Sequence, residues 1–129
     1  MVTSVLAIAL GASLGAILRW LAGMALNSLY PAIPLGTLAV NLVGGFCMGL
    51  ALRVFEALPE LSPEWRLFVC TGFLGALTTF STFSAEMAAL LQQQKYLAAL
   101  GGVLFHVVGA LLAFFLGMWA HQAWYTPSR

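Results

Sequence analysis

The sequence predicts an all-α membrane protein of four transmembrane helices, the third broken near its middle. Three observations carry this. Of the 129 residues, 62% are hydrophobic and 7% charged, against roughly 25% charged for a soluble domain. Water cannot solvate such a surface. Four apolar stretches each approach the roughly 20 residues that a helix needs to cross a bilayer. The third contains the run TGFLGALTTFSTF, whose glycines and β-branched threonines make a poor helix interior.

The first span runs from about Ser4 to Leu29 and ends before YPAIP. Its N-terminus is apolar, lacks a basic flank and runs on too long for a signal peptide, so it reads as a span that stays. The second runs from about Leu35 to Phe55. EALPELSPEWR separates it from the third, about Trp65 to Leu91, and QQQK separates that from the fourth, about Tyr96 to Trp124. Pro31, Pro34, Pro59 and Pro63 fall in the breaks, where helices stop. With connections this short, residues 1–129 are expected to form one four-helix domain, and no repeat of one half in the other is visible.

The charges are few. Arg19, Arg53, Arg66, Lys95 and Arg129 are scattered along the chain, Asp is absent, and the net charge is +1. That excludes an electrostatic grip on nucleic acid. With the N-terminus inside, Arg53, Arg66 and Arg129 lie inside and Lys95 outside, a small bias by the positive-inside rule. A chain so nearly balanced could insert both ways. Cys47 and Cys70 sit in apolar runs and read as small buried residues. No nucleotide motif, nucleophile or metal constellation suggests an enzyme.

Glycines recur at helical spacing: Gly11, Gly15, Arg19 and Gly23 on the first span, Gly45 and Gly49 on the second, Gly102, His106 and Gly109 on the fourth. Such stripes let helix backbones approach in lipid, either within one subunit or between two. Ionisable and amide groups at membrane depth are costly unless partnered, so each is a candidate for function. Arg19 either snorkels or pairs with Glu86, or makes an electropositive vestibule. Asn41, with Thr37 one turn before it, is helix-to-helix glue or a pathway donor. His106 alone reads as a packed, hydrogen-bonded histidine.

The third span concentrates the polar groups. Gly72, Gly75, Thr78 and Thr79 predict an unwinding near Gly75 to Thr79, or else a simple kink. Unwound backbone at this depth survives if it is buried or its carbonyls coordinate something, and a cation would suit. In TTFSTFS, residues 78 to 84, Phe80 and Phe83 are three apart and project from nearly the same face, with Ser81, Thr82 and Ser84 beside them. Ring edges carry partial positive charge, so rings interleaved with hydroxyl donors suit a small anion. Otherwise the phenylalanines simply pack or face lipid.

At these residues the sequence resembles the Fluc (CrcB) family of microbial fluoride channels. GASLGAILRW, GTLAVNLVGGFCMG and TGFLGALTTFSTFSAE look like that family's first-, second- and third-helix signatures, and the similarity covers all four helices. The resemblance implies an antiparallel, dual-topology homodimer in the bacterial cytoplasmic (inner) membrane, multi-pass in the lipid bilayer. It implies a structural Na+ at the dimer centre, held by the main-chain carbonyls of Gly75 and Thr78 from both subunits. It implies two fluoride pathways, in which Phe80 and Phe83 supply ring edges, Asn41 donates a hydrogen bond, and Ser81 and Thr82 form part of a polar track. Thr37, Arg19 and Glu86 are expected at the vestibules or pathway ends. Two positions depart from the pattern: Ala76 stands where relatives often have a second glycine, and Ala110 where many have a hydroxyl.

The implied task is passive export, with fluoride trapped in the cell as the anion leaving down the membrane potential. A small-multidrug-type proton-coupled exporter is the alternative of similar size. That chemistry wants a carboxylate in the first helix, which here has only Arg19. A scaffold without transport would leave the third-span polar block unexplained.

Overall fold

The computed structural model describes residues 1–125. Arg129, counted above with the inside charges, lies outside them. Among the described residues, four helices are long and apolar enough to cross a membrane: Val2–Leu26, Leu35–Ala57, Pro63–Gln92 and Tyr96–Tyr125. The second packs chiefly on the fourth, and the first on the leading half of the third.

Close approach between backbones holds these pairs together. A Cβ on Gly49 would strike the Phe114 carbonyl, and one on Gly117 the Phe46 carbonyl. A Cβ on Gly15 would likewise strike the Phe73 carbonyl, and one on Gly72 would lie 2.7 Å from the Ile8 carbonyl. Gly15 and Gly49 of the stripes are therefore used for packing inside one chain. The apolar side chains bury little among themselves. One small core gathers Val40, Leu74 and Leu77, and another Phe83, Met87, Leu90 and Ala99. Most other large apolar side chains face outward, as lipid-facing residues must.

The first helix stops at Leu26 rather than Leu29, because Asn27 turns its side chain toward the next helix. Asn27 Oδ1 accepts from the Gly36 and Thr37 N–H groups at 2.8 and 3.2 Å. These are orphan donors of a helix start, and the residue at the cap itself is Pro34, which makes no side-chain cap bond. The third and fourth helices join through Gln94, whose φ is 58°. Gln94 N–H donates to Leu91 and Lys95 N–H to Leu90, the paired bonds of a left-handed helix end.

The third span is irregular. After one α-turn from Pro63 to Arg66 it is π-helical over Leu67–Leu74, which nothing in the sequence announced. π-helical turns are rare and favour functional sites. One α-turn follows at Gly75–Leu77, and helix resumes only at Phe80–Gln92. Between them Thr78 and Thr79 are extended, at φ −81°, ψ 155° and φ −151°, ψ 123°.

Gly49→Ala forces a methyl onto a backbone carbonyl that cannot move alone, and overpacking of this kind costs about 1–3 kcal/mol. Gly101 has open space around a new Cβ, and Gly101→Ala should gain up to about 1 kcal/mol from helix propensity. Thermal unfolding in detergent should therefore move down for the first and not for the second.

Candidate functional site

The site is built around the two extended threonines. An extended residue offers an N–H and a C=O that no helical neighbour takes. At Thr79 both are taken by one side chain: Thr79 N–H donates to Asn41 Oδ1 at 2.7 Å, and Asn41 Nδ2 donates to the Thr79 carbonyl at 3.0 Å. Asn41 Nδ2 also lies 2.9 Å from His106 Nδ1. Three helices thus meet on one amide. Gly44 makes room on the same side, since a Cβ there would strike the Thr78 methyl.

Thr79 also starts the helix that follows. Its Oγ1 accepts from the Thr82 N–H at 3.2 Å, an N-cap, and donates to Thr82 Oγ1 at 3.1 Å. Ser81 Oγ lies 3.4 Å from Thr79 Oγ1. By contrast, Thr78 and Ser84 bond back to the Leu74 and Phe80 carbonyls, four residues earlier, as hydroxyls in membrane helices commonly do. The block therefore divides: two hydroxyls serve their own helix, and Thr79, Ser81 and Thr82 form a connected row.

Arg19 and Glu86 do not pair. Arg19 Nε donates to the Ala76 carbonyl at 3.0 Å and Nη1 to Thr82 Oγ1 at 3.4 Å. Arg19 thereby covers a carbonyl freed where the helical turn ends at Leu77. Glu86 Oε1 accepts from the buried Thr37 hydroxyl at 2.6 Å, while Oε2 is buried without a partner.

Phe80 and Phe83 touch, with ring centroids 5.4 Å apart and planes at 61°. Their surroundings differ from the shared face that spacing suggested. Phe80 is 74% exposed and Phe83 6%, because three helical residues leave about 60° between side chains. Phe83 turns inward against the His106 ring, 4.5 Å between centroids.

Two clefts flank the extended pair. One of about 460 Å³ is lined by Asn41, Thr78, Thr79, Phe80, Phe83 and His106, with apolar residues of the second and fourth helices. The other, about 470 Å³, holds Arg19, Asn27, Thr37, Thr79 and Thr82. Thr79 borders both. Ser81, Glu86 and Gly75 line neither, although Glu86 is tied to the second cleft through Thr37.

Residues 6–118 match the family described as CrcB-like protein, Camphor Resistance (CrcB). The chain belongs to the CrcB-like family. It is 57% identical over 122 residues to a protein from Pseudomonas syringae pv. maculicola named fluoride-specific ion channel FluC, covering 95% of this chain and 96% of that one. A protein of the same name from Tolumonas auensis is 58% identical over 118 residues, 92% of this chain and 93% of its own. One from Chromohalobacter salexigens is 60% identical over 115 residues, 89% and 87%.

In this CrcB-like chain, the sequence marks Thr79 only as part of the predicted unwinding, although a threonine followed by a helical run that has an N–H to cap is a signal for its capping role. It marks His106 as a packed, hydrogen-bonded histidine, as the structure has it, but nothing local names its partner Asn41, 65 residues away.

Asn41→Leu keeps bulk but leaves the Thr79 N–H and carbonyl unpaired, at about 1–3 kcal/mol for each unmade bond. Amide hydrogen exchange should rise at Thr79 and stay slow at Met87 in the helix beyond; equal protection in both proteins would remove the clamp.

Proposed function

We propose that this chain is the subunit of a fluoride-selective ion channel that lets fluoride leave the cytoplasm passively and so lowers its toxicity. The observation that carries the reading is the cleft beside the Asn41–Thr79 clamp, where an amide, two phenylalanine rings and a histidine converge at membrane depth. The name borne by relatives along nearly the whole chain supports it, and so does a family of channels rather than enzymes.

Fluoride is small and strongly hydrated, so a pathway must replace its shell with closely spaced donors and yet let it go. Phenyl edges at Phe80 and Phe83 supply partial positive charge without a fixed cation. Thr82 Oγ1 accepts from both Arg19 and Thr79, which leaves its own hydrogen free to donate. Ser81 and Thr82 thus serve as polar steps, while Asn41, whose two amide hydrogens are both engaged, holds the backbone beside them rather than donating to the ion as the resemblance implied; Thr37, Arg19 and Glu86 stand at the ends of the route. Ala110 lines the cleft on the fourth helix and offers no hydroxyl, so water completes the donor set there.

The working unit is an antiparallel pair of chains inserted in opposite directions, with the third-span break of each at the centre. A sodium ion on the two-fold axis would be held by the Gly75 and Thr78 carbonyls of both chains, where it would supply positive charge between the two halves. Among the described residues neither carbonyl accepts a hydrogen bond, and unpaired carbonyls are the donor set that sodium takes. Ala76 does not disturb this, because its own carbonyl is already engaged by Arg19. A proton-coupled exporter is not supported: Arg19 is the first helix's only charged side chain, and it is occupied by main chain and hydroxyl.

Purified protein in liposomes should release fluoride and retain chloride; comparable chloride release, or no fluoride release, sinks the proposal. Phe80→Ile and Phe83→Ile should each cut fluoride flux by roughly tenfold or more, the equivalent of about 1.4 kcal/mol on the barrier, while cross-linked dimer persists. Unchanged flux in both would remove the ring-edge role.

A further inference from the structure

The backbone dictates the orientation of the Asn41 amide. Thr79 N–H can only donate, so the atom facing it at 2.7 Å is Oδ1. The other end is then the amide nitrogen, with two hydrogens. One goes to the Thr79 carbonyl at 3.0 Å. The other points at His106 Nδ1 at 2.9 Å. A donor meets that nitrogen, so Nδ1 must accept, and an accepting Nδ1 carries no proton. In neutral imidazole the proton then sits on Nε2. The tautomer of a buried histidine on the fourth helix is thereby fixed by a main-chain N–H on the third.

We propose that His106 is a positioning residue for the fluoride pathway: its unprotonated Nδ1 holds the second Asn41 hydrogen, and its ring holds Phe83. The inference rests on the channel reading for its flux consequence but not for its tautomer. Remove the acceptor and one Asn41 N–H is left unmade in a span with no bulk water, where an unpaired donor is expensive. The amide then gains by turning away, and Thr79 loses the partner that keeps it extended. Remove the ring and Phe83 loses its neighbour at 4.5 Å, and through it Phe80. One side chain thus ties the amide to the ring pair, although neither of its nearest partners is on its own helix.

The two contacts are separable by substitution. His106→Asn places a carbonyl oxygen where Nδ1 stood and loses the ring. His106→Phe keeps a ring against Phe83 and loses the acceptor. His106→Leu loses both. In fluoride efflux from liposomes, His106→Phe should fall by roughly tenfold, the size of one unmade buried hydrogen bond, His106→Asn by less, and His106→Leu, which loses both contacts, by more than either. Equal losses in His106→Phe and His106→Asn, or no loss in His106→Phe, overturn the positioning role.

The tautomer is read directly on the unmodified protein by nitrogen NMR of labelled histidine, with His121 as the internal comparison. The expected result is a proton on Nε2 and a bare Nδ1 at His106, with mixed tautomers once Asn41→Leu removes the donor. A protonated Nδ1 in the unmodified protein overturns the proposal whatever the flux. If the unmodified protein passes no fluoride, the channel reading falls, and the NMR result still decides whether His106 accepts from Asn41.

Discussion

A residue held in extended conformation in the middle of a membrane span exposes two backbone groups where no water can satisfy them, at several kcal/mol each. The Asn41 side chain answers both groups of Thr79 with one amide, in the manner of a one-residue sheet partner. The rest of the site follows from that clamp. It allows the third span to stop at Leu77 and restart at Phe80, with Thr79 as cap of the new helix. It brings the second helix to the break, where Gly44 gives the Thr78 methyl its space. It also fixes the direction in which Phe80 and Phe83 leave the backbone, since both lie within the first turn and a half after the cap.

The break further explains why an arginine can lie at this depth. A helical turn that ends at Leu77 frees carbonyls, and those carry the negative end of the local dipole. Arg19 sits against one of them, at Ala76, with its charge spread toward the Thr82 hydroxyl. Reading Arg19 as the partner of Glu86 is natural from composition, because they are the only opposite charges well inside the spans. The chain instead gives each a neutral partner, so no ion pair cancels the Arg19 charge. A pathway for an anion needs that uncancelled positive character, which an ion pair would remove.

Much of the fold was legible in the sequence because lipid imposes a length and a composition that four apolar stretches meet and prolines interrupt. The glycine stripes were legible as close-packing positions, and the use of Gly15 and Gly49 within one chain was one of two open readings. The site was legible in part. Hydroxyl and ring density marked the region from Thr78 to Thr82, and single polar residues marked Arg19, Asn41 and Glu86. What pairs with what was not legible, since Asn41 with His106 and Thr37 with Glu86 are 65 and 49 residues apart. The π-helical stretch Leu67–Leu74 was not legible either. Its composition is that of any apolar helix, and only the packing against Gly11 and Gly15 distinguishes it.

The distribution of unsatisfied groups carries the functional logic one step further. Buried polar atoms are nearly always paired, and the exceptions ask for a reason. Here the hydroxyls of Ser13, Thr78 and Ser84 are paid off locally by carbonyls four residues back. Asn27, Asn41 and Arg19 are committed to main chain. Within the spans, the open groups are the Gly75 and Thr78 carbonyls, the Thr82 hydroxyl hydrogen, Glu86 Oε2 and, near the end of the second helix, Arg53 Nε. Apart from Arg53, all lie on the third span, within its extended pair or beside it. Open carbonyls are the chemistry a cation takes, and open hydroxyl donors the chemistry an anion takes. A chain that satisfies most of its other polar groups locally and leaves these open concentrates its unmet hydrogen-bonding capacity along the third span.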